Sequence, residues 1–408
     1  MIELNKYKLS DIAEVFTGFP FKGDKYCDFG GVKVLRGENV SLGYLRWDTT
    51  KCWNEPFSEI EKYSLRKDDI VVGMDGSRVG RNRAQIKEID LPLLLAQRVA
   101  RIRAFENFNQ NLLSYIIKSD RFENYVSAVH TGTSIPHISA TQINNFEFEA
   151  PSEFTYQKEI ASILSSLDNK IELNLQINQT LESMAKVIFK EWFINFNFPG
   201  FDGELVEGLP KGWRKNMIKE VGLVVTGNTP SSNNPEYFGD SIPFITPTDF
   251  KYYGKLVIDA ERYLSNEGKV ALVKKLLPKN SVIVTCIGSD MGKVAIAKVE
   301  CISNQQINSI IPDGKIISPD YLYYDLVFKY EYLRNIATGG STMPIINKSR
   351  FEEIEIVVPS FEVIESFQLM VESLNIKIEE SLRQIKTLTQ IRDSLLPKLM
   401  TGKIEIKN

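Results

Sequence analysis

LRKDDIVVGMDGSRVG at Leu65–Gly80 and LPKNSVIVTCIGSDMG at Leu277–Gly292 are one pattern written twice. Each places a Lys-polar turn before a β-branched run, then a Gly-Ser loop closed by another glycine. Such runs, bounded by turn residues, read as strands. Working outward, TGTSIPHISATQINNFEFEAPS (Thr131–Ser152) answers TGGSTMPIINKSRFEEIEIVVPS (Thr338–Ser360), and SLDNKI (Ser166–Ile171) answers SLNIKI (Ser373–Ile378). The separation is 212 residues at Ser77/Ser289 and 207 at Leu181/Leu388, a drift that loop insertions and deletions produce in a duplicated unit. Similarity recurring in the same order at several places makes the chain two copies of one unit.

Each copy has two parts. The first mixes short strands (Val32–Leu35, Ile70–Val72, Ile242–Ile245, Val282–Thr285) with Gly, Pro and Asn turns. A helical stretch follows (Leu112–Val129; Tyr321–Ala337), then a last strand ending at Pro151 or Pro359. That is a mixed α/β (α+β) domain. The second part is a long helix. Its apolar positions in the first copy are Ile160, Leu164, Leu167, Ile171, Leu181, Ala185, Ile188 and Trp192. In the second they are Phe367, Val371, Leu374, Ile378, Ile385, Leu388, Leu395 and Leu399. Spacings of three, four and seven make a coiled-coil stripe. The expected domains are residues 1–154, a central helix 155–198, a linker and second domain 199–361, and a C-terminal helix and tail 362–408. Pro199-Gly200 is expected to stop the first helix, and Pro397 to kink or end the second.

A short linker, roughly 199–211, lets the second helix run back along the first. The expected architecture is two α/β (α+β) domains separated by an antiparallel coiled coil, an internal pseudo-twofold repeat. Asn174 and Asn178 interrupt the first stripe and Ser381 the second; matching midpoints sets Asn178 against Ser381. Buried polar groups there fix register. The 33 residues from Ile160 to Trp192 span about 50 Å at 1.5 Å per residue. On duplex DNA that is roughly 15 base pairs.

Hydrophobic residues make up 43% and charged residues 25%, so the chain can build a proper core and is not a disordered one. No apolar run is long enough for a membrane helix, and the first residues lack a signal-peptide pattern. The four cysteines (Cys27, Cys52, Cys286, Cys301) are scattered, which suits reduced thiols and a cytoplasmic location. A search for GxGxxG, P-loop, HExxH and GxSxG patterns finds none, and there is no metal-type cluster. Asn234-Pro235-Glu236-Tyr237 lacks the second proline of a methyltransferase base-holding motif. His130 and His137 both lie in the first copy, which excludes a duplicated His-based active site. The chain reads as a binder, with no catalytic residue assigned. The net charge of −3 means that any positive DNA-binding surface is local, or is completed by a partner.

Its candidate DNA-reading residues lie in the loops. SRVGRNR (Ser77–Arg83) offers Ser77, Arg78, Arg81, Asn82 and Arg83 around a glycine, and arginine pairs bidentately with guanine or phosphate. The matching GSDMGK keeps the Gly-Ser arrangement but offers Ser289 and Lys293. The turns TGFPFK, with Lys22, and TGNTPS, with Asn228 and Thr229, correspond. So do Arg36 of RGEN and Thr246 of TPTD. Hydroxyl-rich loops add Thr131, Thr133, Ser134 and His137, and in the second copy Thr338, Ser341 and Thr342, suited to phosphate contacts. Each loop taken alone is also ordinary turn chemistry.

The whole chain resembles a specificity subunit of a type I restriction-modification system. The resemblance is carried by the paired starts Tyr7-Lys8 and Trp213-Arg214, the strand and Gly-Ser loops, and the Thr-Gly-x-Ser segments leading to FEFEAPS and IEIVVPS. The closing SLLPKLMTGKI (Ser394–Ile404) is typical of that family's C-terminal end. The resemblance implies two target recognition domains reading the halves of a bipartite, asymmetric site on double-stranded DNA. It also implies helices that set the spacer and dock two adenine methyltransferase subunits, joined by restriction subunits that act as motor and nuclease. S-adenosylmethionine, ATP and Mg then belong to those partners and no cofactor to this chain. Arg392, on the second stripe, departs from the apolar pattern. A specificity factor of another DNA-modification or phage-defence complex, a self-contained enzyme, and a coiled-coil scaffold without DNA selectivity remain the alternatives.

Overall fold

The central strands Ile70–Gly73 and Val282–Thr285 are buried along their whole length, which is why they read as unbroken apolar runs. Ile70 and Val72 pack into one core and Val71 into another on the opposite face of the sheet. A computed structural model describes residues 3–56, 59–131, 136–337, 344–404 and 406. It divides into two compact units, Met1–Asn169 with Leu388–Asn408, and Lys170–Thr387.

In the first unit, Ala13–Thr17, Val99–Ala104, Ile70–Gly73 and Arg83–Gln85 form an antiparallel sheet in that order. A second sheet runs Cys52–Trp53, Val32–Leu35, Leu93–Leu95, its last pair parallel. Leu4–Lys8 pairs with Glu147–Pro151. The second unit repeats this strand for strand. Gly222–Thr226, Ile307–Pro312, Val282–Thr285 and Val294–Ala297 form the larger sheet, extended by Leu256–Val257. Tyr263–Leu264, Phe238–Ile245 and Ile302–Ser303 form the smaller one, again with a parallel last pair. Arg214–Met217 pairs with Glu355–Val358.

The single helical stretch expected in each copy is two helices. Gln110–Lys118 is followed by Asp120–Val129, and Pro319–Phe328 by Tyr330–Asn335. The breaks fall at matching places because Ser119 is extended and Lys329 is non-helical.

The long helices are Phe154–Phe189 and Phe361–Met400. Within the first unit, Asp168 meets Arg392 at 2.7 Å, and the Tyr156 hydroxyl donates to the Ile404 carbonyl at 3.3 Å. Within the second, Asn174 meets Gln384 at 3.3 Å, and Phe189 meets Phe367 at 5.8 Å between ring centroids. Both sets of pairs run antiparallel. Ile160 and Leu164 pack with Leu112 and Phe108 of their own α/β domain as well as with Leu399. Ala185, Phe189, Phe367 and Val371 likewise join the core containing Tyr321 and Tyr324. The stripes thus bury each other only in part, since their outer thirds are claimed by the domains. Leu181, Ile188, Leu374 and Ile385 are half-buried against the same cluster, as is Leu395 in the first unit.

The expected polar register is corrected by one turn. The Ser381 hydroxyl donates to the Asn174 carbonyl at 3.3 Å, and the amide of Asn178 has no hydrogen-bond partner among the described residues. Both asparagines lie on the same stripe a turn apart, so the spacing does not choose between them. The first helix does not wait for Pro199. Its α-helical part ends at Phe189 and passes into a π-helical turn, Lys190–Ile194. That wider turn lets consecutive Trp192 and Phe193 both reach the core. The second helix passes through Pro397 and ends at Met400. Arg392 is held by Asp168, which also accepts the Tyr115 hydroxyl at 2.6 Å.

Burial pushes the Cys286 thiol up to about 12, and that of Cys301 likewise to about 12. At pH 7.5 iodoacetamide is therefore expected to modify the half-buried Cys27 first and to leave Cys286 and Cys301 untouched until unfolding. Peptide mass spectrometry after graded exposure checks this; early labelling of Cys286 would contradict it.

Candidate nucleic-acid interface

In the first unit, candidate loops leave from the C-terminal ends of Ala13–Thr17, Val32–Leu35 and Ile70–Gly73, beside the turn that follows Leu93–Leu95, and Thr131 follows the helix Asp120–Val129. Backbone hydrogen bonds tie them into one surface at that end of the sheets. Phe19 N–H donates to Leu95 O at 2.8 Å, Gln97 N–H to Phe19 O at 3.0 Å, and Met74 N–H to Arg98 O at 3.1 Å. Gly76 N–H donates to Pro136 O at 3.0 Å, and Ile138 N–H returns to Met74 O at 2.9 Å.

The second unit makes the corresponding bonds. Cys286 N–H donates to Gln306 O at 2.7 Å, Gly288 N–H to Pro344 O at 3.1 Å, and Ile346 N–H to Cys286 O at 2.9 Å. Gly76 and Gly288 hold φ of 100° and 90°, and Gly80 and Gly292 hold 81° and 87°, all in the left-handed region that favours glycine. Gly18 and Gly227 are kept for space. A Cβ there would sit 2.2 Å from Leu95 O and 2.1 Å from Asn304 O. The glycines shared by the two copies thus fix the loops, and the residues between them are left to vary.

Those residues have different surroundings. Lys22, Ser77, Arg78, Thr131, Asn228 and Ser289 are exposed. Lys22 and Arg78 make no ion pair among the described residues. Arg81 bonds Glu123 at 2.5 Å. Burial pushes the Glu123 carboxyl up, but hydrogen bonds from Arg81 and Arg83 outweigh this and hold it below the usual carboxylate range. Asn82 and Thr229 are half-buried, and the Thr229 hydroxyl bonds Gln305 Oε1 at 2.5 Å. Lys293 is paired with Asp290 at 2.6 Å, and Lys251 reaches the same carboxylate at 3.2 Å. His137 bonds Asp75 through Nδ1. Thr133, Ser134, Thr338, Ser341 and Thr342 lie outside the described residues.

Arg83 is corrected. Its side chain is 2% exposed, and it donates to the carbonyls of Gly80 and, at 2.8 Å, Lys118, the end of Gln110–Lys118. A cation against the free carbonyls of a helix C-terminus is a structural contact, out of reach of DNA. Arg36 and Thr246 occupy equivalent places whose spacing has a structural cause. The Asn39 side chain accepts from Arg36 N–H at 3.0 Å, and Asp249 accepts from Thr246 N–H at 2.8 Å. The Arg36 guanidinium bonds Glu38 and lies 5.6 Å from the Tyr26 ring centroid. The Thr246 hydroxyl bonds Asp249 at 3.0 Å.

Residues 1–183 and 210–387 match the type I restriction modification DNA specificity domain, once in each copy. The chain belongs to the type I restriction-modification specificity subunits. It is similar to the type I restriction enzyme HindI specificity subunit of Haemophilus influenzae, 32% identical over 341 residues, which covers 68% of this chain and 73% of that one. It is also similar to the MjaIX specificity subunit of Methanocaldococcus jannaschii, 25% identical over 303 residues, covering 72% and 69% of the two chains. A solved structure of the type I restriction-modification S subunit of M. genitalium shares the fold, with a TM-score of 0.58 at 16% identity, covering 100% of this chain and 97% of that one. Specificity subunits are the non-catalytic, DNA-sequence-recognising members of their systems. Among the described residues of this specificity subunit, no helix is long and apolar enough to cross a membrane.

One turn at the centre of each surface was missed by sequence reasoning: Gln97-Arg98 in the first copy and Gln305-Gln306 in the second. Arg98 and Gln305 are exposed. The signal was present in the repeat, since LLLAQRVARI (Leu93–Ile102) aligns with CISNQQINSI (Cys301–Ile310), keeping the glutamine and changing its neighbour. Leu42 and Tyr44 on a turn bonded to Arg83 O, and Tyr252 in the corresponding segment, are further exposed apolar groups beside the loops.

Proposed function

We propose that this chain is the sequence-reading subunit of a type I restriction-modification complex, each α/β domain reading one half of a bipartite, asymmetric DNA site. The observation that carries the proposal is the pair of loop surfaces with the same backbone hydrogen bonds and different side chains. Backbone geometry held constant while Arg78 and Arg81 give way to Asp290 and Lys293 suits two readers of different sequences.

The long helices set the spacer and dock two methyltransferase subunits. Support for docking comes from apolar side chains left facing solvent on both, among them Ile177, Met184 and Val187 on one and Leu369, Met370 and Ile376 on the other. Restriction subunits join that assembly. S-adenosylmethionine, ATP and Mg act in the partners, whose basic surfaces supply the phosphate contacts that a chain of net charge −3 does not supply by itself.

The test is to co-express the chain with the methyltransferase of its own system and to map modified adenines across a genome. Exchanging residues 1–154 for those of a relative is expected to change one half of a split motif and leave the other unchanged. Methylation that is indifferent to deletion of this chain would refute the proposal.

A further inference from the structure

We propose that Arg98 is a base-reading residue, and that it takes a guanine in the major groove through a guanidinium anchored at one nitrogen by Asp75. This rests on the DNA-reading function proposed above and names one determinant of it.

Arg98 lies on the short turn between Leu93–Leu95 and Val99–Ala104, where the loops of the first unit converge. Its side chain is 64% exposed, and its Nη1 lies 3.3 Å from Asp75 Oδ2. The other oxygen of that carboxylate is taken by His137 Nδ1, and the Asp75 backbone is bridged to His137. Asp75 is thus fixed from two sides and in turn anchors one nitrogen of the guanidinium. The remaining N–H donors stay open to solvent, available for a bidentate bond to guanine O6 and N7.

The carboxylate also discriminates between the two ligands an arginine could take. A phosphate brought to Arg98 would come within a few ångströms of Asp75, and two negative charges at that distance repel. The guanine edge is neutral and offers only acceptors, so the buttress costs it nothing comparable. Arg78 and Lys22, exposed and without an acidic neighbour bonded to them, suit phosphate instead. In the second unit the position equivalent to Arg98 carries Gln306, whose Oε1 accepts from Asn304 Nδ2 at 3.0 Å. An amide there prefers a different base edge, so the guanidinium's preference belongs to one half-site alone.

The experiment uses the full chain with its methyltransferase subunits and duplexes carrying the motif read from the wild-type methylome, each base pair replaced in turn. The half-site that follows residues 1–154 in a domain exchange should contain a G·C pair. Its replacement should lower the methylation rate roughly 5- to 150-fold, the range for one bidentate base contact. Arg98→Ala should erase the preference at that pair alone and leave the other half-site as selective as before. Arg98→Lys should not restore it, because a point charge lacks the planar pair of donors. Asp75→Asn should weaken the same preference, as expected of a positioning residue. A half-site without guanine, or an Arg98→Ala variant that slows methylation equally on every duplex and lowers the salt dependence, would overturn the assignment and make Arg98 a phosphate contact. A motif that ignores the domain exchange altogether would instead overturn the two-reader function on which the assignment rests.

Discussion

Replacing Asp320 by alanine is expected to destabilise the second unit by about 3–5 kcal/mol, the range for removing one partner of a buried ion pair. Lys255 is 1% exposed in its side chain, and its ammonium lies 2.6 Å from Asp320 Oδ1 and 2.8 Å from Asn375 Oδ1. It also donates to the Tyr324 hydroxyl at 3.2 Å and faces that ring at 4.5 Å from its centroid. Asp320 is satisfied in return by Asn375 at 2.8 Å and Gln368 at 2.9 Å. Burial drives the Lys255 ammonium toward its neutral form, and Asp320 is the main opposing charge. Burial also pushes the Asp320 carboxyl up, but Lys255 and the two amides hold it below its usual range. Without the carboxylate, an ammonium would be left in a pocket that water does not reach. Hydrogen exchange of second-unit peptides across a denaturant series measures the loss. The double variant Asp320→Leu with Lys255→Met should recover most of it, because replacing both charges leaves neither unpaired. A cost below about 1 kcal/mol for Asp320→Ala would mean that Lys255 is not left as an uncompensated buried charge, and would refute the prediction.

Inserting seven residues between Asn169 and Lys170, and seven more between Thr387 and Leu388, is expected to abolish methylation of the native motif. Methylation should reappear on sites whose spacer is longer by about three base pairs, since a heptad adds about 10 Å of helix and a base pair about 3.4 Å. Seven residues keep the apolar stripe in phase to within about 20°, so packing survives the insertion. An insertion in one helix alone puts the Asp168–Arg392 pair out of step with the Asn174–Ser381 pair and should abolish methylation on every spacer. The methylome of the double insertion decides the matter. An unchanged motif would mean that the helices do not measure the spacer.

The repeat made the fold legible because glycines at Gly18, Gly76 and Gly80 recur at Gly227, Gly288 and Gly292, where backbone geometry and space require them. Side-chain roles within the loops were less legible. Arg81 and Arg83 look alike in SRVGRNR, yet one is exposed and the other caps a helix, because Arg83 opens a strand and points inward. That distinction depends on which face of the strand is covered. Arg98 gave no compositional signal, since its role arises from Asp75, 23 positions earlier in the chain, and His137, 39 later. Helix register was ambiguous for a simpler reason, as Asn174 and Asn178 offer the same chemistry one turn apart.

The first unit contains both Met1–Asn169 and Leu388–Asn408. Leu395, Leu396 and Leu399 pack with Ile160 and Phe108 in its core. The part of the protein that leaves the ribosome first is therefore finished last. More than two hundred residues separate its two pieces, tens of seconds of translation at roughly 5–20 residues per second. During that interval the nascent first unit carries an uncovered apolar face, while the second, contiguous in the chain, can close as soon as Thr387 has emerged. A premature stop just before Leu388 would thus do its damage in the unit built from Met1–Asn169, not in the one it directly follows.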